Sequence, residues 1–212
     1  MRSLIRLSPW LSLLLLCLIG CGPDGPTPAL PLTPGEMRTV IEVPPLNPFD
    51  SKLANSHHRW MREHWADIER DAGRDHVGES VPRALDRIAG WCPLSPELRA
   101  LVESVLNDHR PPGYESVFQA AEALQGWIAR GVTPEVARQR LSRMTVAREW
   151  PEHWEILLST WQVSLEQGSS LTGALTSDAY TVDFIGTVVA GPEGGAAASA
   201  GYLIGRLIRE LL

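Results

Sequence analysis

Most local signatures of catalysis are missing from this chain. It has no His-Glu-x-x-His pair for zinc, no Gly-x-Ser-x-Gly elbow and no Walker loop for phosphate, and none of His76, His109 and His153 lies near a dinucleotide fingerprint. Cysteine is scarce, with only Cys17, Cys21 and Cys92 in 212 residues. Cys92 lies between Trp91 and Pro93 with no activating base beside it, so its expected role is a buried structural thiol. Basic residues are outnumbered, 19 against 25 acidic. That balance excludes a nucleic-acid partner, whose phosphates require a concentrated basic face. No sustained apolar-polar alternation marks a sheet, and no apolar run reaches the roughly 20 residues of a bilayer-spanning helix.

What is present begins at the N-terminus. Arg2 and Arg6 form a short positive region, Trp10 to Leu18 is almost unbroken apolar sequence, and Leu18-Ile19-Gly20-Cys21 closes it. This is the arrangement of a secretory signal, and a transmembrane anchor would want a longer run. The segment resembles the lipobox of bacterial lipoproteins. The resemblance implies cleavage before Cys21, acylation of that cysteine as the first mature residue, and a lipid bilayer as the first partner. It implies a cell-envelope location, and Gly22 in place of an aspartate implies the outer membrane if the source has two membranes. Loss of Arg2 and Arg6 leaves 17 basic against 25 acidic residues, a formal charge of −8. Adsorption to anionic lipid by charge is then excluded, and lipid must do the anchoring. With Cys21 acylated, Cys92 is the only thiol left and no internal disulfide can form.

Residues 21–46 are rich in Pro, with Gly and Thr, and read as an extended tether with one apolar patch at Val40-Ile41-Glu42-Val43. Asn47-Pro48-Phe49-Asp50 marks the domain boundary, a turn followed by cap residues Asp50 and Ser51. This opening resembles uncharacterised bacterial proteins whose domain begins Asn-Pro-aromatic-Asp; it departs from them at Lys52-Leu53 and at the His57-His58 pair, and no activity follows. From Leu53 the apolar positions recur helically to Ala72, and Gly73 stops them. Further helices are predicted over Val81–Trp91, from Pro96 to before Pro111, over Tyr114–Arg130, from Pro134 to Met144 and through the strongly amphipathic Trp150–Leu165. The expected fold is all-α: a compact helical bundle over 47–212, after a signal at 1–20 and the tether.

The C-terminal segment has a different composition. Two limbs, 178–190 and 195–211, flank Gly191-Pro192-Glu193-Gly194 and predict a Gly/Ala-rich helical hairpin over 178–212. Ala197, Gly201 and Gly205 are four apart, a small-residue face that lets a neighbouring helix approach. The segment resembles the small-residue hairpins of bacteriocin-like and exported bacterial proteins. A hairpin packed into the domain is one reading, and a membrane-interacting or self-associating element is the other.

Two residue groups invite a chemical reading. Glu63, His64 and Asp67 share a helix, and with Glu149 and Glu152 opposite they would supply carboxylates for hydrolysis of an envelope glycan. His57 and His64 are two turns apart, too far to share a metal ion, so no metal and no cofactor is expected. Trp150, Trp154 and Trp161 fall on one helical face, which is first of all core; exposed, it would stack on sugar rings or hold a partner protein. His57 and His64 join these tryptophans as binding candidates. The leading expectation is an envelope lipoprotein with a binding or structural role and no identified chemistry.

Overall fold

Capping residues and prolines set where most of these helices begin. The computed structural model describes residues 47–168 and 175–211, so the expected signal at 1–20, Cys21 and the tether at 21–46 lie outside the described residues. Ser51 opens α1 (Lys52–Ala72), its Oγ accepting the Ala54 amide at 3.3 Å. Ser80 precedes α2 (Val81–Ile88), which carries Pro82 in its first turn. Ser95 caps α3 (Pro96–Leu106) through the Leu98 amide at 3.3 Å. Then come α4 (Glu115–Ala129), α5 (Pro134–Leu141), α6 (Thr145–Glu149), α7 (Ile156–Glu166) and α8 (Ser177–Leu211). The described residues thus form an all-α bundle of eight helices without a strand.

Three boundaries differ from the periodicity, one being α5, which stops at Leu141, three residues before Met144. The second helix stops at Ile88, three residues before Trp91. The amphipathic stretch from Trp150 to Leu165 is interrupted, because Trp150 ends α6 and residues 151–155 form turns before α7 starts at Ile156. Trp150 precedes Pro151, whose ring disfavours a helical conformation at the residue before it; Trp150 sits at φ −130°, ψ 61°.

At the centre of the bundle lies α8, in contact with α1, α2, α3, α4 and α7. Its backbone breaks at Ala190 and Gly191, where Gly191 takes φ 78°, ψ 178°, a conformation open essentially to glycine alone, and Pro192 restarts the helix. The limbs on either side of the break touch backbone to backbone. A Cβ on Gly186 would fall 2.9 Å from the Gly195 Cα and 3.0 Å from the Ala198 Cβ, and one on Gly195 would strike Thr187 Oγ1 and the Asp183 carbonyl. The Ala197-Gly201-Gly205 stripe faces the other way. Cβ atoms there would meet Leu94 and Leu85 at 3.0 and 3.3 Å from Gly201, and Leu106 at 2.7 Å from Gly205. The second limb therefore has two small-residue faces, one against the first limb and one against the α2–α3 side; periodicity had pointed to the latter alone.

Bulk flanks both faces. Tyr180, Phe184, Leu203, Ile204 and Ile208 are buried with Trp65, Ile68, Leu124, Ile156 and Leu157 in one continuous core, each side chain contributing roughly 1.5–3 kcal/mol by leaving water. No helix among the described residues is long and apolar enough to cross a membrane. Unfolding in urea provides a check on this packing. Gly201→Leu is expected to cost about 1–3 kcal/mol by overpacking. Gly195→Ala, though it adds one methyl, is expected to cost at least as much because a backbone carbonyl blocks it. Gly90→Ala, with nothing within 4 Å of its Cβ, should stay within about 0.5 kcal/mol of the parent.

Candidate functional site

Where α1, α7 and α8 meet, the core is polar. His57 Nδ1 lies 2.8 Å from Ser159 Oγ, and its Nε2 lies 3.0 Å from Asp183 Oδ1. Thr160 Oγ1 donates to Asp183 Oδ2. These contacts are self-consistent for a neutral imidazole with its hydrogen on Nε2: that N–H and the Thr160 hydroxyl donate to the carboxylate, and the Ser159 hydroxyl donates to Nδ1. Serine, histidine and aspartate thus stand in the order of a hydrolase triad. Access decides against that chemistry. His57, Ser159, Thr160 and Asp183 are each 0% exposed, and Ser159 sits inside a regular helix, where the backbone N–H groups of an oxyanion hole are already bonded. The network pins three helices together, and each member is buried because each is satisfied.

A second polar knot holds the C-terminal end of α1. Asp71, buried, accepts from Trp91 Nε1 at 2.8 Å and pairs with Arg74 at 3.0 Å and with Arg87. Arg87 also donates to Glu79 at 2.9 Å, and with His76 it holds the Glu79 carboxyl below the usual range. Cys92 donates its thiol to the Ala197 carbonyl at 3.2 Å; burial pushes its pKa up to about 12, which removes it as a nucleophile. Among the described residues no three His, Cys, Asp or Glu side chains are grouped to hold a metal ion.

The open site is elsewhere. Asp50, Ser51, Lys52 and Leu53 at the start of α1, with Pro151, Glu152, Trp154 and Glu155 before α7, line a groove of about 470 Å³. Its floor is Glu155, which is buried and accepts the Ser51 amide at 2.6 Å and Arg138 Nε at 2.8 Å. Arg138 Nη2 reaches Asp50 as well, at 2.9 Å. Two of the groove's three carboxylates are therefore occupied by one guanidinium. The Glu152 carboxylate and the Lys52 ammonium make no hydrogen bond or ion pair among the described residues, Glu152 interacting only with the neighbouring His153, and Trp154 is half-buried.

The candidates read from the sequence disperse over this framework. Of Glu63, His64, Asp67, Glu149 and Glu152, only Glu152 lines the groove. Glu63 is exposed, Asp67 is bound to Arg70 at 2.5 Å, and Glu149 accepts the Ser116 hydroxyl at 2.5 Å. His64 is half-buried, donates from Nδ1 to the Trp60 carbonyl at 3.0 Å, and stacks on the Trp60 ring at 4.1 Å, with Trp91 beyond at 6.4 Å. The three tryptophans do not share a face. Trp150 stacks on Tyr114 at 5.5 Å, Trp154 lines the groove, and Trp161 is buried core. Sequence reasoning missed Ser159, Asp183, Glu155 and Arg138. For the last pair no local signal exists; for Asp183, an acid inside an apolar helical limb was the available clue.

Stability and labelling test the network. Asp183→Ala should destabilise by about 3 kcal/mol or more, since it orphans buried donors on two helices, and Ser159→Ala by about 1–2 kcal/mol. A serine-directed fluorophosphonate should leave Ser159 unmodified in the folded protein; labelling under native conditions would overturn the structural assignment.

No family model, no curated protein and no solved structure matches this chain, so its site is read from its own geometry.

Proposed function

We propose that this chain is a lipid-anchored envelope protein with a binding role and no catalytic activity of its own. The observation that carries the anchor is the charge, apolar run, small residue and cysteine in order at Arg2 to Cys21. In this reading the Pro-rich tether holds the bundle away from the lipid surface, and the limbs of α8 act as a helical hairpin that scaffolds it. Burial of both small-residue faces of α8 favours that role over membrane insertion or self-association. For the binding role, support comes from the groove, whose half-buried Trp154 and unpaired Glu152 and Lys52 suit an envelope glycan or protein segment. A glycan hydrolase needs two free carboxylates flanking the bond, and with Arg138 on Asp50 and Glu155 the groove offers Glu152 alone.

Membrane fractionation and intact-mass analysis test the anchor. Acylated Cys21 at the mature N-terminus is expected, and Cys21→Ala should abolish lipid-dependent processing; an unmodified cysteine or a retained signal would sink the proposal. For the groove, the purified full chain should retain cell-wall fragments without producing new fragment masses. Trp154→Ala should weaken retention at least tenfold at unchanged melting temperature. New products lost on Glu152→Gln would replace binding with hydrolysis.

A further inference from the structure

The groove is bordered by the segment through which the chain enters the bundle, and that segment covers a poorly satisfied charge cluster. Asn55 brackets Phe49 from both sides, accepting its N–H at 3.0 Å and donating to its carbonyl at 2.7 Å. Two residues on, Ser51 is tied to Glu155 and, through its hydroxyl, to the Glu152 carbonyl at 2.6 Å. Phe49 is buried and presents its ring to His58 at 5.6 Å and 78°.

Beneath Phe49, His58 is 0% exposed and neither ring nitrogen has an aligned hydrogen bond. Its Nε2 is 3.3 Å from Glu166 Oε2, in range but out of alignment, and Arg62 Nε is 3.5 Å from the same oxygen. With Arg62 Nη1 also unpaired, four buried polar atoms of three residues lack a partner here. Unsatisfied buried groups cost about 1–3 kcal/mol each, so this cluster is a weak point; the other such atoms among the described residues, on Trp65, His76, Thr176 and Ser199, fall on four separate residues.

We propose that Asn47–Ser51 is an acid-released clasp: protonation of the buried His58, beside Arg62 and Glu166, frees Phe49 and opens the adjoining groove. The groups facing His58 are Arg62 and His57 on α1 and, on α7, Glu166 and the Ser159 backbone carbonyl, which favours the charged imidazole and partly offsets the others; Asp183 on α8 is engaged by His57, and Asp50 on the clasp by Arg138. Burial holds the Glu166 carboxyl above its ordinary range, so acid neutralises it early and removes the anion that faces both Arg62 and His58. Burial, with Arg62 adding to it, pushes His58 from 6.5 down to about 4. A charge arriving there is buried beside a guanidinium with no counter-ion. It must reach water, and Phe49, whose ring meets the imidazole, belongs to a non-helical segment.

Linkage gives the sign. A histidine with a depressed value binds fewer protons folded than unfolded, so its contribution is intact above about pH 6.5 and is withdrawn as pH falls toward 4. The raised value of Glu166 acts in the opposite sense and softens the slope. Clasp release would move Asp50 and Ser51, which wall the groove; that consequence rests on the binding reading above, while the release does not.

Amide hydrogen exchange on the full chain, corrected for intrinsic exchange chemistry, tests the release. Between pH 7 and 4.5 the protection of the Phe49 and Ser51 amides should fall at least tenfold while residues 179–185 of α8 stay protected. His58→Gln should abolish the fall, and Phe49→Ala should leave the clasp open at both pH values. Unchanged protection, an equal fall in His58→Gln, or simultaneous loss in α8 would each overturn the clasp. Should His58→Gln fail to fold, magnetic resonance on the parent protein decides instead: the Phe49 ring signals must shift with the same midpoint as the His58 imidazole, and separate midpoints overturn the proposal. Failure of cell-wall fragments to bind would reject the binding reading and leave this exchange result standing.

Discussion

The close approach of Gly186 to Gly195 is the contact on which the rest of the bundle depends. At that crossing the two limbs of α8 come closer than any side chain allows, and α8 in turn contacts five of the other seven helices. Tight interlimb packing draws Asp183 inward, so an acid that would otherwise need water ends inside the core. His57, Thr160 and, through His57, Ser159 are what make that burial tolerable. A small-residue crossing and a polar cross-link thus form one device: the first sets the distance between helices, the second sets which helices may occupy it.

Side chains with chemical potential are divided into two sets by access. The Ser159–His57–Asp183 network has well-formed geometry and no route to solvent. The groove beside Trp154 has a route to solvent, but Arg138 already occupies two of its carboxylates. Among the described residues these two properties fall in different places. What remains in the groove is the Trp154 side chain and two groups of opposite charge, Lys52 and Glu152, with no hydrogen bond or ion pair among the described residues.

Residues 47–51 connect these two parts of the molecule. They wall the groove with Asp50 and Ser51 and cap the His58 cluster with Phe49, so the point at which the N-terminal segment joins the bundle is also the point at which buried charge is least well satisfied. Here the holding groups include carboxylates and a guanidinium, so the attachment is sensitive to proton concentration as well as to packing.

Helix content, and the approximate start of most helices, were legible in the sequence because they are local. Ser51, Ser95, Pro96 and Pro134 act within a turn of themselves, and stripes such as Leu53 to Ile68 recur at the spacing of one helix face. A break near Gly191 was legible for the same reason, although it falls at Ala190 and Gly191 and not over the expected turn Gly191–Gly194. The site was not. Ser159 and Asp183 stand 102 and 126 residues from His57, and Glu155 is tied to Ser51 across 104. The stripe at Trp150, Trp154 and Trp161 looked continuous because periodicity cannot register a helix that stops and restarts around Pro151. Burial is likewise a property of the assembled core: the same histidine pattern suits a catalytic face or a sealed one, and only tertiary packing, of α7 and α8 over His57 and of Phe49 over His58, determined that both would be sealed. Local sequence sets which backbone forms are cheap, whereas which side chains meet, and which still reach water, is decided when distant segments close upon one another.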